Sequence, residues 1–224
     1  MRKWIIVLLV LLMPSLSFGA DFYSSATAIV QVRSIINETT ASFWTDTELG
    51  NFIKQGVEDI TARSLCLQVS DTIALVTAQN EYATTVGAVS VVDIVKVWGA
   101  FYISPDNEYI GLKRIEPSWI ADLPFMISGP AKYFYHFADK IGILPLPSAA
   151  ENTKTVRIYF SKMSQDIADL PNQYQELAIT YAVSMAYKKE HRFTESNAMY
   201  GMYLQKVTAL KQELYGVPLE PKSQ

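Results

Sequence analysis

The side chains able to do chemistry in this sequence are few and far apart. Among 224 residues there are two histidines, His136 and His191, and one cysteine, Cys66. His136 stands in the apolar run YFYHF and His191 among the charges of KKEHR, and neither has a metal-ligand partner at helical spacing. There is no H-E-x-x-H pair for zinc and no G-x-S-x-G elbow to present a nucleophilic serine. Phosphate-cradling loops of the G-K-S, G-K-T or G-x-G-x-x-G type are also missing. A single cysteine excludes an intrachain disulfide and a cysteine-based zinc site, and leaves Cys66 as a small buried apolar residue. Carboxylates are plentiful but scattered over polar positions, and their spacing nominates no acid–base pair. The expectation is a protein that is not an enzyme, with no catalytic residues, no metal and no cofactor.

What the sequence does offer is contact chemistry. Its 13 tyrosines and four tryptophans supply large, rigid contact area at low entropic cost. Those at helical spacing read as core. Tyr102, Tyr109, Trp119 and Phe125 stand in loop-like or strand-edge contexts and are candidate partner contacts. The basic cluster Lys188, Lys189 and Arg192, at an expected helix end, is a second candidate surface. The formal net charge of −3 argues against a broad nucleic-acid-binding face, which needs clustered Lys and Arg. Asn37-Glu38-Thr39 matches a glycosylation acceptor, a motif too short to carry weight.

These residues must be held by elements, and the chain divides into helix, then strands, then helix. Residues 25–37 place Ile29, Val32, Arg33 and Ile36 at helical spacing, with Ser24 or Ser25 available to cap. In FWTDTELGNFIKQGVEDI (43–60), Thr45 and Glu48 form a capping box, and Trp44 can close on Leu49 as a hydrophobic staple. Leu49, Phe52, Ile53, Val57 and Ile60 then make one apolar stripe. Over 72–160, short runs rich in β-branched and aromatic residues alternate with Pro, Asp, Asn and Gly. One pair of runs suggests a hairpin turning near Ala138–Lys140.

From Pro171 the helical period returns. Tyr174, Leu177, Ala178, Tyr181, Ala182, Met185 and Ala186 form a seam, and KKEHR closes it with charge that suits a helix C-terminus. A last helix runs through Tyr200, Tyr203, Leu204, Val207, Leu210 and Leu214 to Gly216 and Pro218. With half the residues hydrophobic and 18% charged, a sizeable core is expected. The fold class is α+β: a helical bundle of N- and C-terminal helices (about 25–64 and 172–215) with an inserted antiparallel β-sheet or small sandwich (about 70–161). Residues 20–217 read as a single domain and 218–224 as a disordered tail.

The first 19 residues have the layout of a secretory signal peptide: Arg2 and Lys3, an apolar run Trp4–Met13, then small residues ending in Gly19. The run is roughly half the length that spans a hydrocarbon core. Cleavage before Ala20 would leave 17 positive and 22 negative side chains, since Arg2 and Lys3 account for two of the 19 positive ones.

Four stretches occur in a telling order. WTDTEL leads into FIKQGVEDITAR; ISGPAKYFYHFADKIGILPLPS follows; then VRIYFSKMSQDIADLPNQYQELAITYAVSMAY; and finally KKEHRFTESNAMYGMYLQKVTAL. In this order, over about residues 27–215, the chain resembles the head–tail adaptor (connector) proteins of tailed bacteriophages. The resemblance implies a structural virion protein, assembled in the host cytoplasm. About a dozen copies would form a ring between portal protein and tail tube or nozzle protein, lining the DNA exit channel. It implies transient, non-specific DNA passage and no small-molecule substrate. The alternative, supported by the leader, is an exported bacterial periplasmic or envelope binding module.

Overall fold

The computed structural model of the chain describes residues 23–38, 40–83, 94–104, 106–118, 128–138 and 140–216. The leader (1–19), the 218–224 tail, Trp119 and Phe125 therefore lie outside the described residues. Helix α1 (Ser25–Ile36) starts at Ser24, whose hydroxyl accepts the Thr27 N–H at 3.2 Å. Helix α2 (Asp46–Ser64) starts at Thr45. The Thr45 hydroxyl accepts the Glu48 N–H at 3.2 Å, and the Glu48 carboxylate accepts the Thr45 N–H at 3.3 Å, which completes the capping box. Trp44 and Leu49 are buried in one cluster, as a staple requires, together with Ile53, Val57 and Ile60.

Helix α3 (Asn172–Lys189) opens after Pro171, and helix α4 (Phe193–Tyr215) ends at Gly216, which takes the left-handed φ of 59° that a glycine cap supplies. The apolar seam of α3 is only part of what it buries. Gln175, Ile179, Thr180, Val183 and Ser184 are buried as well, because α3 packs against α1, α2 and α4 at once. Its buried polar groups are satisfied. Gln175 donates to the Leu170 carbonyl at 3.1 Å and accepts the Tyr23 N–H at 2.9 Å, while Ser196 of α4 donates to the Ser184 carbonyl at 2.9 Å. Gly56 lets α2 and α3 approach closely: a Cβ there would lie 3.1 Å from the Ala178 carbonyl oxygen and from the Tyr181 side chain.

Among the described residues the middle of the chain forms eight strands: β1 (Gln68–Ala74), β2 (Glu81–Ala83), β3 (Ile94–Ile103), β4 (Tyr109–Gly111), β5 (Lys113–Arg114), β6 (Tyr133–Phe137), β7 (Lys140–Leu144) and β8 (Thr155–Lys162). They make two four-stranded sheets, in the orders β1-β8-β3-β4 and β2-β7-β6-β5. Leu75, Val97, Ala100, Val156, Ile158 and Phe160 share one core with Tyr82, Phe134, Ile141 and Ile143, so the inner faces of the two sheets pack together. The α+β class stands, with one departure from the expected pattern. Strand β5 pairs parallel with β6, whereas every other pairing among the described residues is antiparallel; a two-residue strand has no periodicity from which this could be read. The hairpin near 138–140 forms as β6 and β7, with Ala138 at φ 52°.

Two β-bulges shape β3 against β8, between Ile94 and Lys96 and between Val97 and Gly99. A bulge shifts the alternation of side chains. Val97, Ala100 and Tyr102 thus face the core, while Trp98 and Phe101 come to the outer face. In the second sheet Tyr135 pairs with Gly142 across the strands, and its ring lies over the glycine: a Cβ there would sit 1.9 Å from ring atoms. The Tyr135 ring is buried and its hydroxyl donates to Glu81 at 3.0 Å, so it has little room to give way. Gly142→Ala should therefore destabilise the protein by about 1–3 kcal/mol. Urea unfolding monitored by circular dichroism checks this, and Gly99→Ala, whose Cβ would meet only ordinary contacts, is the control.

Candidate assembly interface

Of the reactive side chains, Cys66 and His136 are partly buried and His191 is exposed. Cys66 is half-buried at the end of α2, and burial pushes its thiol up, away from thiolate chemistry. His136 lies on β6, where burial first and the Arg114 charge second push its pKa down. His191 follows α3 with φ 60° and sets its ring edge-on to Phe193 at 5.8 Å. Among the described residues no three His, Cys, Asp or Glu side chains converge as a metal site.

An electrostatic cluster lies where α1, α2 and the end of α3 meet. Arg33, buried on α1, donates to Asp46 at 2.6 Å and to the Trp44 carbonyl at 2.7 Å. Glu38 accepts the backbone N–H groups of Ser42, Phe43 and Trp44 at 2.8, 2.6 and 3.0 Å. Desolvation raises its carboxyl, but the three N–H bonds and the Ser42 hydroxyl outweigh that and hold it at about 2. The Trp44 indole N–H donates to Glu190 at 2.9 Å. Lys189 stands over the same ring at 4.8 Å while pairing with Glu48 of the capping box.

A different surface covers the outer face of the first sheet. Trp98, Gly99, Phe101, Tyr109 and Tyr159 line an open groove of about 460 Å³. Phe101 and Tyr159 meet edge-to-face at 5.5 Å, and Trp98 stacks on Tyr215 of α4 at 5.2 Å. Lys96 lies over the Trp98 ring at 4.1 Å and Arg157 over the Tyr109 ring at 5.5 Å, so cations edge the groove. The β1 side of the same face is polar, with Gln68, Ser70 and Thr72 opposite Ser161, Tyr159 and Arg157. The helical part is tied to this sheet through Leu65. Its carbonyl accepts from Tyr215 at 2.8 Å and from Ser161 at 3.1 Å, and Ser161 accepts the Trp98 indole N–H at 2.8 Å.

The candidate contact residues fare differently. Tyr109 is half exposed, on the aromatic groove. Tyr102 needs correction as a surface contact. It is buried between the sheets and its hydroxyl donates to Glu151 at 2.6 Å, because the bulge at 97–99 turns it inward. Lys188 is exposed and forms no ion pair among the described residues. Lys189 and Arg192 also reach the surface, but their charges are used within the chain. Lys189 pairs with Glu48; Arg192 pairs with Glu195 at 3.0 Å and Glu190 at 3.5 Å, and lies over Tyr187. Trp98, Phe101 and Tyr159 were missed, for their shared face depends on strand pairing and on a bulge.

A family model described as "SU10 adaptor protein" matches residues 23–221. No curated protein matches the chain. Among solved structures, a chain from the neck of an empty GTA particle aligns with 76% of this chain and 79% of its own length, at 11% identity and a TM-score of 0.32, too loose a superposition to equate residues.

The two lysines should separate in stability. Lys189→Glu sets a carboxylate beside Glu48, Glu190 and the Trp44 ring, and should lower the thermal midpoint measured by calorimetry. Lys188→Glu should leave it unchanged.

Proposed function

The chain belongs to the SU10 adaptor protein family, and on that footing we propose that it acts as a structural head–tail adaptor rather than as a catalyst. The observation that supports this most is the extent of the family match. Residues 23–221 take in the helices at both ends and both sheets, so the whole scaffold corresponds to the family's unit. In this reading about a dozen copies close a ring between portal protein and tail tube or nozzle, and the ring lines the channel through which DNA leaves. Ring closure requires each subunit to dock one face on a different face of the next. The aromatic outer face of the first sheet, with Tyr109, and the α3 end, with Lys188, are two such faces. Trp119 and Phe125 are further proposed contacts.

A chain of net charge −3 suits a channel wall past which DNA slides instead of sticking, since like charges make few phosphate contacts. The adaptor needs no small-molecule substrate and would reside in the virion after assembly in the host cytoplasm. The reading of an exported module rests on residues 1–19, which lie outside the described residues.

Co-expression of the full chain with the portal protein of its own genome tests the proposal. Electron microscopy and mass measurement should show this chain as a ring bound to portal, absent when portal is omitted. A chain that stays monomeric and unbound, or a product recovered from the periplasm with Ala20 at its N-terminus, would overturn it.

A further inference from the structure

Phe43 is an exposed aromatic that the fold holds still. Its side chain is 62% exposed and, among the described residues, joins no core cluster. Yet its backbone N–H and those of Ser42 and Trp44 all bind the Glu38 carboxylate, and its ring meets Trp44 edge-on at 5.0 Å. An aromatic presented on a fixed turn loses little conformational entropy on docking, which suits an interface anchor. Ala41 and Asp46, which flank it in the chain, line a hollow on α1 together with the exposed Val30. Asp46 pairs with Arg33 through Oδ1, but 70% of its side chain stays in solvent while Arg33 is buried. The charge that Val30, Ala41, Phe43 and Asp46 show outward is therefore negative.

The outer face of the first sheet is the complement. Its four strands carry one acidic residue, Asp71, which alternates with Ser70 and Thr72 on the side of Val69 and Ile73, and those two pack inward. On the outer side the strands offer Lys96 over Trp98 and Arg157 over Tyr109, with no carboxylate of their own. We propose that Phe43 of one copy seats among Trp98, Phe101, Tyr109 and Tyr159 of the next, with Asp46 facing Arg157. Phe43 and Asp46 are three residues apart, at most about 11 Å of chain. Arg157 lies 5.5 Å from the Tyr109 ring, so one footprint meets both the rings and the cation. The two faces are different surfaces, α1 and the turn into α2 against β3, β4 and β8, so the contact is head-to-tail and can repeat around a ring. A single contact of this size is weak, and copies gathered on one portal populate it through their effective concentration. The inference rests on the adaptor reading and adds which faces meet.

Cross-linking in the portal-bound ring tests it. A chain with Cys66→Ala, Phe43→Cys and Tyr109→Cys is treated with a short bifunctional maleimide. Both replaced aromatics are exposed, so the variant should fold. Denaturing gels should show a ladder of covalent oligomers beyond the dimer, while chains with either cysteine alone stay monomeric. Phe137→Cys in place of Phe43→Cys, at an equally exposed aromatic on the end of β6, should give no ladder. Phe43→Ser should lower occupancy of the portal about tenfold, the effect of removing one aromatic anchor, with the thermal midpoint unchanged. The pairing is overturned, and the adaptor reading left standing, by a ring that gives no ladder, stops at dimers, ladders equally through Phe137→Cys, or keeps full occupancy after Phe43→Ser. Absence of any ring overturns both.

Discussion

Burying Trp44 requires that its indole N–H, its carbonyl and its backbone N–H each find a partner, and the partners come from different parts of the chain. Arg33 on α1 takes the carbonyl, Glu38 takes the backbone N–H, and Glu190 beyond α3 takes the indole. Leaving any of these groups unpaired in the interior costs about 1–3 kcal/mol, so the three elements are constrained to meet in one geometry. The Thr45–Glu48 capping box, one residue later, then sets the direction of α2. Lys189 joins the end of α3 to the same box through Glu48. The helical part is therefore a body whose halves, far apart in sequence, are tied at one indole.

Such a body suits a protein that works by fitting against neighbours. α3 is buried on nearly all sides, which leaves α1, α2 and α4 to present their outer faces. Among the described residues the first sheet is joined to the helices through Leu65, Ser161, Trp98 and Tyr215. The first sheet displays its aromatics outward on that joint. Helices packed around α3 and an aromatic sheet face beside them leave the chain with two chemically distinct surfaces.

Much of the helical architecture was legible because caps and stripes are local. Thr45 with Glu48, and Gly216 after Tyr215, act within four residues of where they stand. The strands were legible as runs but not as faces. Tyr102 lies near a loop in sequence, yet the bulge at 97–99 sets which way it points, and a bulge exists only once β3 pairs with β8. The same bulge brought Trp98 and Phe101 out beside Tyr159, a cluster no spacing along one strand could reveal. Lys189 read as a free charge because Glu48 lies 141 residues away. Arg33 was placed on the apolar stripe of α1, and its burial makes sense only once Asp46 and the Trp44 carbonyl are in view.

The measurement closest to the central claim is the pH titration of the Trp44 backbone amide by NMR. The Glu38 carboxyl has an ordinary value of 4.5 and is held at about 2 by the N–H bonds it accepts. A group depressed in this way stabilises the fold fully above pH 4.5 and loses that contribution as pH falls through its folded value. The Trp44 amide should hold its folded shift through pH 4.5 and move with a midpoint near 2. A midpoint at 4.5, or a shift indifferent to Glu38→Gln, would show that Glu38 does not hold Trp44 and that the helices are joined by other means.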